Sequence, residues 1–318
     1  MSPPMGVQAP ALDAIVLCGD KGASRMVEGE SKAFLFMHGK PLFIRSATAA
    51  AQVERVGRIF IIGDKTKLDY YLNRFKGTLT DKPITTLEQD GSLLENVWAG
   101  FIGSIDGYQP GMENTDPVIK EKVVLLMPGD TPLISPAEIN QFLDGANMEK
   151  YDYAAGMTEE TVMARYYPAQ GKPGIKMAYL HFKEGRFRIN NLHLARPFAC
   201  RNRDVIQLMY NSRYQKDIRN ILRLTRDMWT HHAKTQTLVL YARLQAAMFM
   251  SFAGFGRTSD WLRRGVTMRA VAEAVGGILG MRVCWSETSR GGAALDVDND
   301  IDYETMKSMF RQWEEAQK

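Results

Sequence analysis

Between Asp13 and Glu138 the chain alternates short, wholly apolar runs with longer stretches whose apolar positions recur at helical spacing. Asp13–Gly19, Arg58–Gly63 and Lys122–Asp130 read as buried strands, each running into glycine. Between them, Lys40–Ala51 reads as a helix that starts after a Gly-Lys-Pro turn. Lys67–Phe75 and Ser92–Ile102 read as helices too, the latter with Leu93, Val97 and Phe101 near one face. Ser135-Pro-Ala-Glu138 opens a further helix, with serine as cap, proline at the first position and glutamate at the third. Strands that are apolar along their whole length and alternate with helices predict an α/β fold, a mainly parallel, Rossmann-like sheet flanked by helices. Ligands of such sheets bind outside the carboxyl ends of the strands. Gly19 and Asp130 both fall at such ends.

From about Tyr151 the texture changes. Tyr151–Met157, Met177–Phe182 and Arg186–Ile189 read as strands, with Lys183-Glu-Gly185 turning between the last two. From Arg203 to Gly280 the pattern is helical; Ile218, Ile221, Leu222, Thr225 and Met228 fall at helical spacing. Strands return at Met281–Ser286 and Ala293–Val297, and Asp302–Gln317 reads as a polar amphipathic helix. The expected organisation is a disordered lead-in (1–12), a core of 13–199 plus 281–318, and an α-helical insertion of 200–280 towards the C-terminal part. Within that insertion Thr237–Gly256 approaches the length of a bilayer span, but Arg243 and Gln245 would be costly at mid-membrane. It therefore reads as one or two buried helices. The alternative is a surface that touches a membrane or a lipid-linked acceptor.

Composition narrows the function without naming it. The 318 residues are 45% hydrophobic and 24% charged, enough for one large domain or two smaller ones. A formal net charge of +4, without dense Lys/Arg clustering, suits anionic metabolites and gives no sign of nucleic acid as a partner. Cys18, Cys200 and Cys284 are odd in number and far apart, which argues against a zinc ribbon or a disulfide framework and sets a reducing, cytoplasmic location as the expectation. Residues 1–10 lack the basic segment and apolar core of a signal peptide.

The chemistry concentrates where the first strand breaks into Leu17-Cys-Gly-Asp-Lys-Gly-Ala-Ser-Arg-Met26. Glycines there let backbone amides approach a ligand, and successive amides in such a turn form an anion-binding concavity. Two common phosphate motifs fail on spacing. Gly19 and Gly22 are three apart with no third glycine for a dinucleotide fingerprint. Gly39-Lys40 is followed by Pro41, with Phe34 in place of the first P-loop glycine.

The loop instead resembles the opening signature of the nucleoside triphosphate transferase superfamily, whose members share a GT-A-like fold. These include the molybdenum-cofactor nucleotidyltransferases and the sugar-phosphate and alcohol-phosphate cytidylyl- and guanylyltransferases. Leu17, Gly22, Ala23, Ser24, Arg25 and Met26 match a loop of the type LAAGxSSRM. Lys32 matches its lysine, and Gly39, Pro41 and Leu42 match a Gly-x-Pro-Leu turn. Cys18-Gly-Asp-Lys21 departs from the family's small-residue run. Gly91–Phe101 looks like the second motif, whose glycine and serine or asparagine line the base pocket in relatives. Met127-Pro-Gly-Asp-Thr-Pro-Leu-Ile134 looks like the third, whose aspartate binds magnesium. Leu295–Tyr303 resembles the closing motif, with Asp298 as second metal ligand, Asp296 as its substitute, and Asp302 as cap of the last helix. Gly185–Pro197 is similar to a segment beside the acceptor in some relatives.

The resemblance implies an enzyme in which a phosphate oxygen of a small phosphorylated acceptor attacks the α-phosphorus of a nucleoside triphosphate, CTP or GTP. It implies Arg25 and Lys32 as catalytic cations that hold the β- and γ-phosphates and stabilise departing pyrophosphate, and Leu17, Gly19, Gly22, Ala23, Ser24, Gly91, Ser92 and Asn96, with Arg25 and Lys32, as nucleotide-binding residues. Asp130 and Asp298 would be the ligands of a Mg2+ cofactor. The enzyme alternative is a glycosyltransferase of the same fold, which usually carries Asp-x-Asp where this chain has Gly129-Asp130-Thr131. The non-enzyme alternative is a nucleotide-binding protein without catalysis. Trp98 and Cys18 are expected in the core, and His231-His232 on a helix surface.

Overall fold

The computed structural model describes residues 11–21, 26–79, 81–203, 205–206 and 235–317. Numbered in chain order, the strands are β1 (Leu12–Leu17), β2 (Phe36–Met37), β3 (Lys40–Pro41), β4 (Val56–Gly63), β5 (Ile84–Glu88), β6 (Val124–Pro128), β7 (Tyr153–Glu159), β8 (Leu180–His181), β9 (Arg186–Ala195) and β10 (Val283–Thr288). The helices are α1 (Leu42–Ala51), α2 (Lys65–Arg74), α3 (Leu93–Gly103), α4 (Pro117–Lys120), α5 (Pro136–Gly145), α6 (Glu160–Met163), α7 (Thr235–Phe252), α8 (Gly256–Arg263), α9 (Met268–Leu279) and α10 (Asp300–Glu315).

The main sheet runs β10-β7-β9-β6-β1-β4-β5, with β8 paired to β9. β1 lies parallel to β4 and β6, β4 to β5, and β10 to β7; β9 alone runs antiparallel, between β6 and β7. The apolar strands are explained by burial on both faces. Val16, Ile61 and Met127 meet Phe43, Ala47 and Phe142 of α1 and α5 on one side. Ile15, Ile62 and Leu126 meet Phe101 of α3 on the other. Helices on both faces are what a parallel sheet requires, and they leave the strand ends open for a ligand.

Several sequence expectations change. β9 extends to Ala195, well past Ile189: Asn190 and Asn191 interrupt the apolar pattern, and the pairing with β7 bulges between Ile189 and His193 before it resumes. Met177–Phe182 shrinks to β8, and β5 is a half-exposed edge strand that its mixed Thr and Glu content conceals. Ala293–Val297 is buried but is not a strand. It begins within a 3-10 turn at Gly292–Ala294, and Val297 N donates to the Asp130 carbonyl (3.2 Å). α7 is also less buried than expected: Leu244 and Ala247 face inward, while Phe249 is 63% and Phe252 92% exposed. Among the described residues no helix is long and apolar enough to cross a membrane. Residues 1–10 of the expected lead-in, the helical positions Ile218–Met228 and His231-His232 lie outside the described residues.

Asp152 fastens the starts of β7 and β10 to the end of β9. It takes charge-assisted hydrogen bonds from Arg282 (2.7 and 2.9 Å) beside β10 and from Arg196 (2.8 Å) just after β9. The Arg282 bonds hold its carboxyl down to about 2, against the opposing effect of burial. A folded-state pKa below the unfolded value contributes stability that is complete above the unfolded value and fades as pH falls through the folded one. Asp152→Asn is therefore expected to lower the urea midpoint at pH 7, with the deficit narrowing between about pH 4 and pH 2. A deficit that stays constant across that window would show that the charge is not its cause.

Candidate active site

The carboxyl ends of β1 and β6 open onto a cavity of about 530 Å³. Its mouth gathers most of the residues named from sequence: Leu17, Gly19, Lys32, Gly91, Ser92, Asn96 and Asp130 all line it, joined by Asp296. Gly22, Ala23, Ser24 and Arg25 lie outside the described residues.

The β1 and β6 ends are pressed together, with Gly129 N donating to the Leu17 carbonyl (2.8 Å). Any side chain at Gly129 would collide with Cys18 Sγ. Cys18 is a buried core residue whose thiol is pushed up by burial and by the neighbouring Asp130 carboxylate, so it stays neutral. At Gly19 a Cβ would stand 2.6 Å from Asn96 Nδ2. The loop can thus lie against α3 only with glycine here.

The atypical Asp20-Lys21 pair has its own clasp, which sequence reading did not anticipate. Gln89 Oε1 accepts from the backbone N–H of Asp20 (2.8 Å) and Lys21 (3.3 Å), and Gln89 Nε2 donates to Asp20 Oδ1 (2.7 Å). Lys21 Nζ donates to the Gln89 carbonyl (3.2 Å). Beyond that clasp, Ser92 caps α3 by accepting from Glu95 N (3.2 Å), which leaves its hydroxyl hydrogen for a ligand. Asn96 Oδ1 accepts from Asp90 N (2.7 Å), fixing the turn that presents Gly91.

Lys32 brings the distant acids together. Its Nζ donates to Asp298 Oδ1 (2.9 Å) and lies 3.9 Å from Asp130 Oδ2. Asp130 follows β6, whereas Asp298 arrives on the irregular segment before α10, not on a neighbouring strand end. The cap of α10 is Asn299 in place of Asp302. Asn299 Oδ1 accepts from Asp302 N (3.0 Å), and its Nδ2 donates to Asp302 Oδ2 (2.6 Å). Asp296 is tied to Arg188 (3.1 Å). Burial, Asp296 and Asp298 together push Asp130 up to about 7, against the pull of Lys32.

Glu138 serves the site from behind. Its backbone N–H is capped by Ser135 (3.2 Å), as the sequence implies, but its carboxylate turns away from the cap. It accepts from Thr288 Oγ1 (2.9 Å), Gly291 N (3.0 Å) and Ala293 N (2.8 Å), and so holds the turn that delivers Asp296 and Asp298. Trp98, expected in the core, is half-buried and lines the cavity, with the Arg203 guanidinium 4.0 Å above its ring.

A glycine-lined bay with a lysine between two acids thus lies at the end of a mostly parallel sheet. Residues 14–232 match the MobA-like NTP transferase domain, and the chain belongs to that family of enzymes. It is also similar to a hypothetical transferase from Thermus thermophilus, with 21% identity, 92% of this chain and 99% of that one covered, and a TM-score of 0.59. Weaker structural similarity extends to a CMP:2-keto-3-deoxy-manno-octonic acid synthetase complexed with CTP (13% identity, coverage 95% and 99%, TM-score 0.46). The same holds for a 4-diphosphocytidyl-2C-methyl-D-erythritol synthase from Anaerococcus prevotii (11% identity, coverage 95% and 99%, TM-score 0.43). No curated protein matches the sequence.

Proposed function

We propose that this enzyme transfers a nucleoside monophosphate, from CTP or GTP, to the phosphate of a small acceptor with release of pyrophosphate. The observation that carries the reading is Lys32, whose single ammonium reaches two acids far apart in sequence, Asp130 and Asp298, at the mouth of the Gly19–Ser92–Asn96 bay. Both substrates are anionic, so positive charge and backbone N–H groups must meet them before they can approach each other. Lys32 is placed to exchange its carboxylates for phosphate oxygens. The family pattern adds Arg25, whose fork suits paired bonds to phosphate. The Ser92 hydroxyl and Asn96 amide would orient the nucleoside. An acceptor phosphate is already ionised, so no general base is required.

The acid group fits magnesium. Burial and the neighbouring Asp296 and Asp298 carboxylates push Asp130 towards neutrality, a crowding that a cation would relieve, and hard oxygen ligands are what magnesium takes. Among the described residues no three His, Cys, Asp or Glu side chains group as a closed metal site. An ion here would rest on Asp130 with Asp298 or Asp296, plus substrate phosphates, the usual manner for magnesium. When bound, it would supply charge neutralisation at the triphosphate. A cytoplasmic location is part of the proposal, supported by three cysteines none of which is paired.

The test is thermal stabilisation by each of the four triphosphates, with and without magnesium, in the native enzyme and in Asp130→Asn. CTP or GTP is expected to stand out, and the variant to lose the magnesium-dependent part of the shift. Equal, metal-insensitive shifts with all four would defeat the reading.

A further inference from the structure

Behind its polar mouth the cavity continues as a chamber along one face of the sheet. It descends from Pro128, at the end of β6, to Ala195, which pairs with Val124 at the start of the same strand. Four residues of strand span about 13 Å. One wall is the alternate-residue face of β9, comprising Ile189, Asn191, His193 and Ala195, while Leu192 and Leu194 point into the core behind it. Trp98, Leu279 and Trp285 line it as well.

Several of the polar atoms in this chamber are engaged with the protein. Asn191 Nδ2 donates to the Ala293 carbonyl (2.9 Å), and Trp285 Nε1 to the Met268 carbonyl (2.7 Å). The Tyr153 hydroxyl and His193 Nδ1 are bonded to each other (2.8 Å). Burial pulls His193 down to about 4, so its ring is neutral and offers no charge to an anion. A sugar or polyol placed here would bury several hydroxyls against few remaining partners, Asn191 Oδ1 and His193 Nε2 among them, and unpaired buried hydroxyls are costly. An apolar body would exchange water for contact with Trp98, Trp285, Ile189 and Leu279 and would bring no hydroxyls of its own to be satisfied.

We infer that the acceptor is a phosphate monoester carried on an apolar body, an alkyl, prenyl or aromatic group, and that the chamber along β9 receives this body. The inference rests on the proposed nucleotidyl transfer, since that reaction sets the acceptor phosphate at the mouth beside Lys32. The acceptor phosphate oxygen forms a bond to the α-phosphorus, the bond from that phosphorus to the bridging oxygen breaks, and its electron pair leaves with pyrophosphate. Nothing is oxidised or reduced.

Decyl phosphate and glycerol 3-phosphate, titrated against tryptophan fluorescence, share the phosphate and differ in the body. Decyl phosphate is offered dissolved below its micelle concentration and, separately, in neutral phosphatidylcholine vesicles. Saturable binding in either form, at least about tenfold tighter than glycerol 3-phosphate, is expected and identifies whether the acceptor arrives dissolved or from a lipid surface. Ala155→Leu, which fills the chamber, and Ile189→Glu, which charges its rim at a position 41% exposed, are each expected to weaken that binding about tenfold. Both should leave triphosphate stabilisation unchanged. Glycerol 3-phosphate binding as tightly, or decyl phosphate binding unaffected by both variants, would overturn the inference. A failure of the nucleotidyltransferase reading looks different: decyl phosphate binds, and no triphosphate stabilises the native enzyme.

Discussion

Lys32→Met is expected to lower the kcat/KM of triphosphate turnover by roughly a thousandfold, the scale on which one preorganised cation or donor at a transferring phosphate counts. Two features set the size of the effect. The side chain of Lys32 is only 11% exposed, so its charge acts in a weakly screened environment. It is also the cation that Asp130 and Asp298 share. Lys32→Arg is expected to recover little, because a planar guanidinium cannot occupy the place of a compact ammonium between two acids. Pyrophosphate release by the purified variants measures both, with circular dichroism establishing that they fold. A lysine serving only as a structural ion-pair partner would give the reverse result, a lowered Tm with turnover within a few fold of the native enzyme.

Much of this mouth is legible in the sequence because its parts are local. Ser92 caps the helix that its own motif begins, and Gly19 sits where an apolar strand breaks, so spacing along a few residues reveals both. Asp130 and Asp298 are legible only as separate motifs. Their meeting depends on the fold, and the route of Asp298 was misread: a buried run such as Ala293–Val297 has the composition of a strand whether or not it pairs. The Gln89 clasp leaves no sequence signal, since one glutamine sixty-nine residues from Asp20 belongs to no pattern. The chamber is hidden for the same reason. His193 and Asn191 look like polar interruptions of β9, and only the fold shows Tyr153, Ala293 and Met268 taking up the polar atoms around it.

Glu138→Ala is expected to be the most destabilising single change among these residues, at about 3 kcal/mol or more, and to disable the metal side of the site with it. Sequence places Glu138 at the third position of a capped helix, where its loss would be worth a fraction of that. In the fold it is fully buried and its carboxylate is the acceptor for Thr288, Gly291 and Ala293. Truncation strands two backbone N–H groups without water, and each such group costs on the order of 1–3 kcal/mol. Glu138→Gln separates the causes. Its remaining carbonyl can still serve Thr288 Oγ1 and Gly291 N, but its new amide group faces the Ala293 N–H, donor against donor. The glutamine variant should therefore lose less stability than the alanine variant while still loosening the turn ahead of Asp296 and Asp298. Thermal unfolding without ligand reads the first effect, and the magnesium-dependent increment with triphosphate reads the second. An alanine variant that unfolds at the native temperature, or that keeps the full magnesium increment, would show that the 291–293 turn holds the acids in place without Glu138.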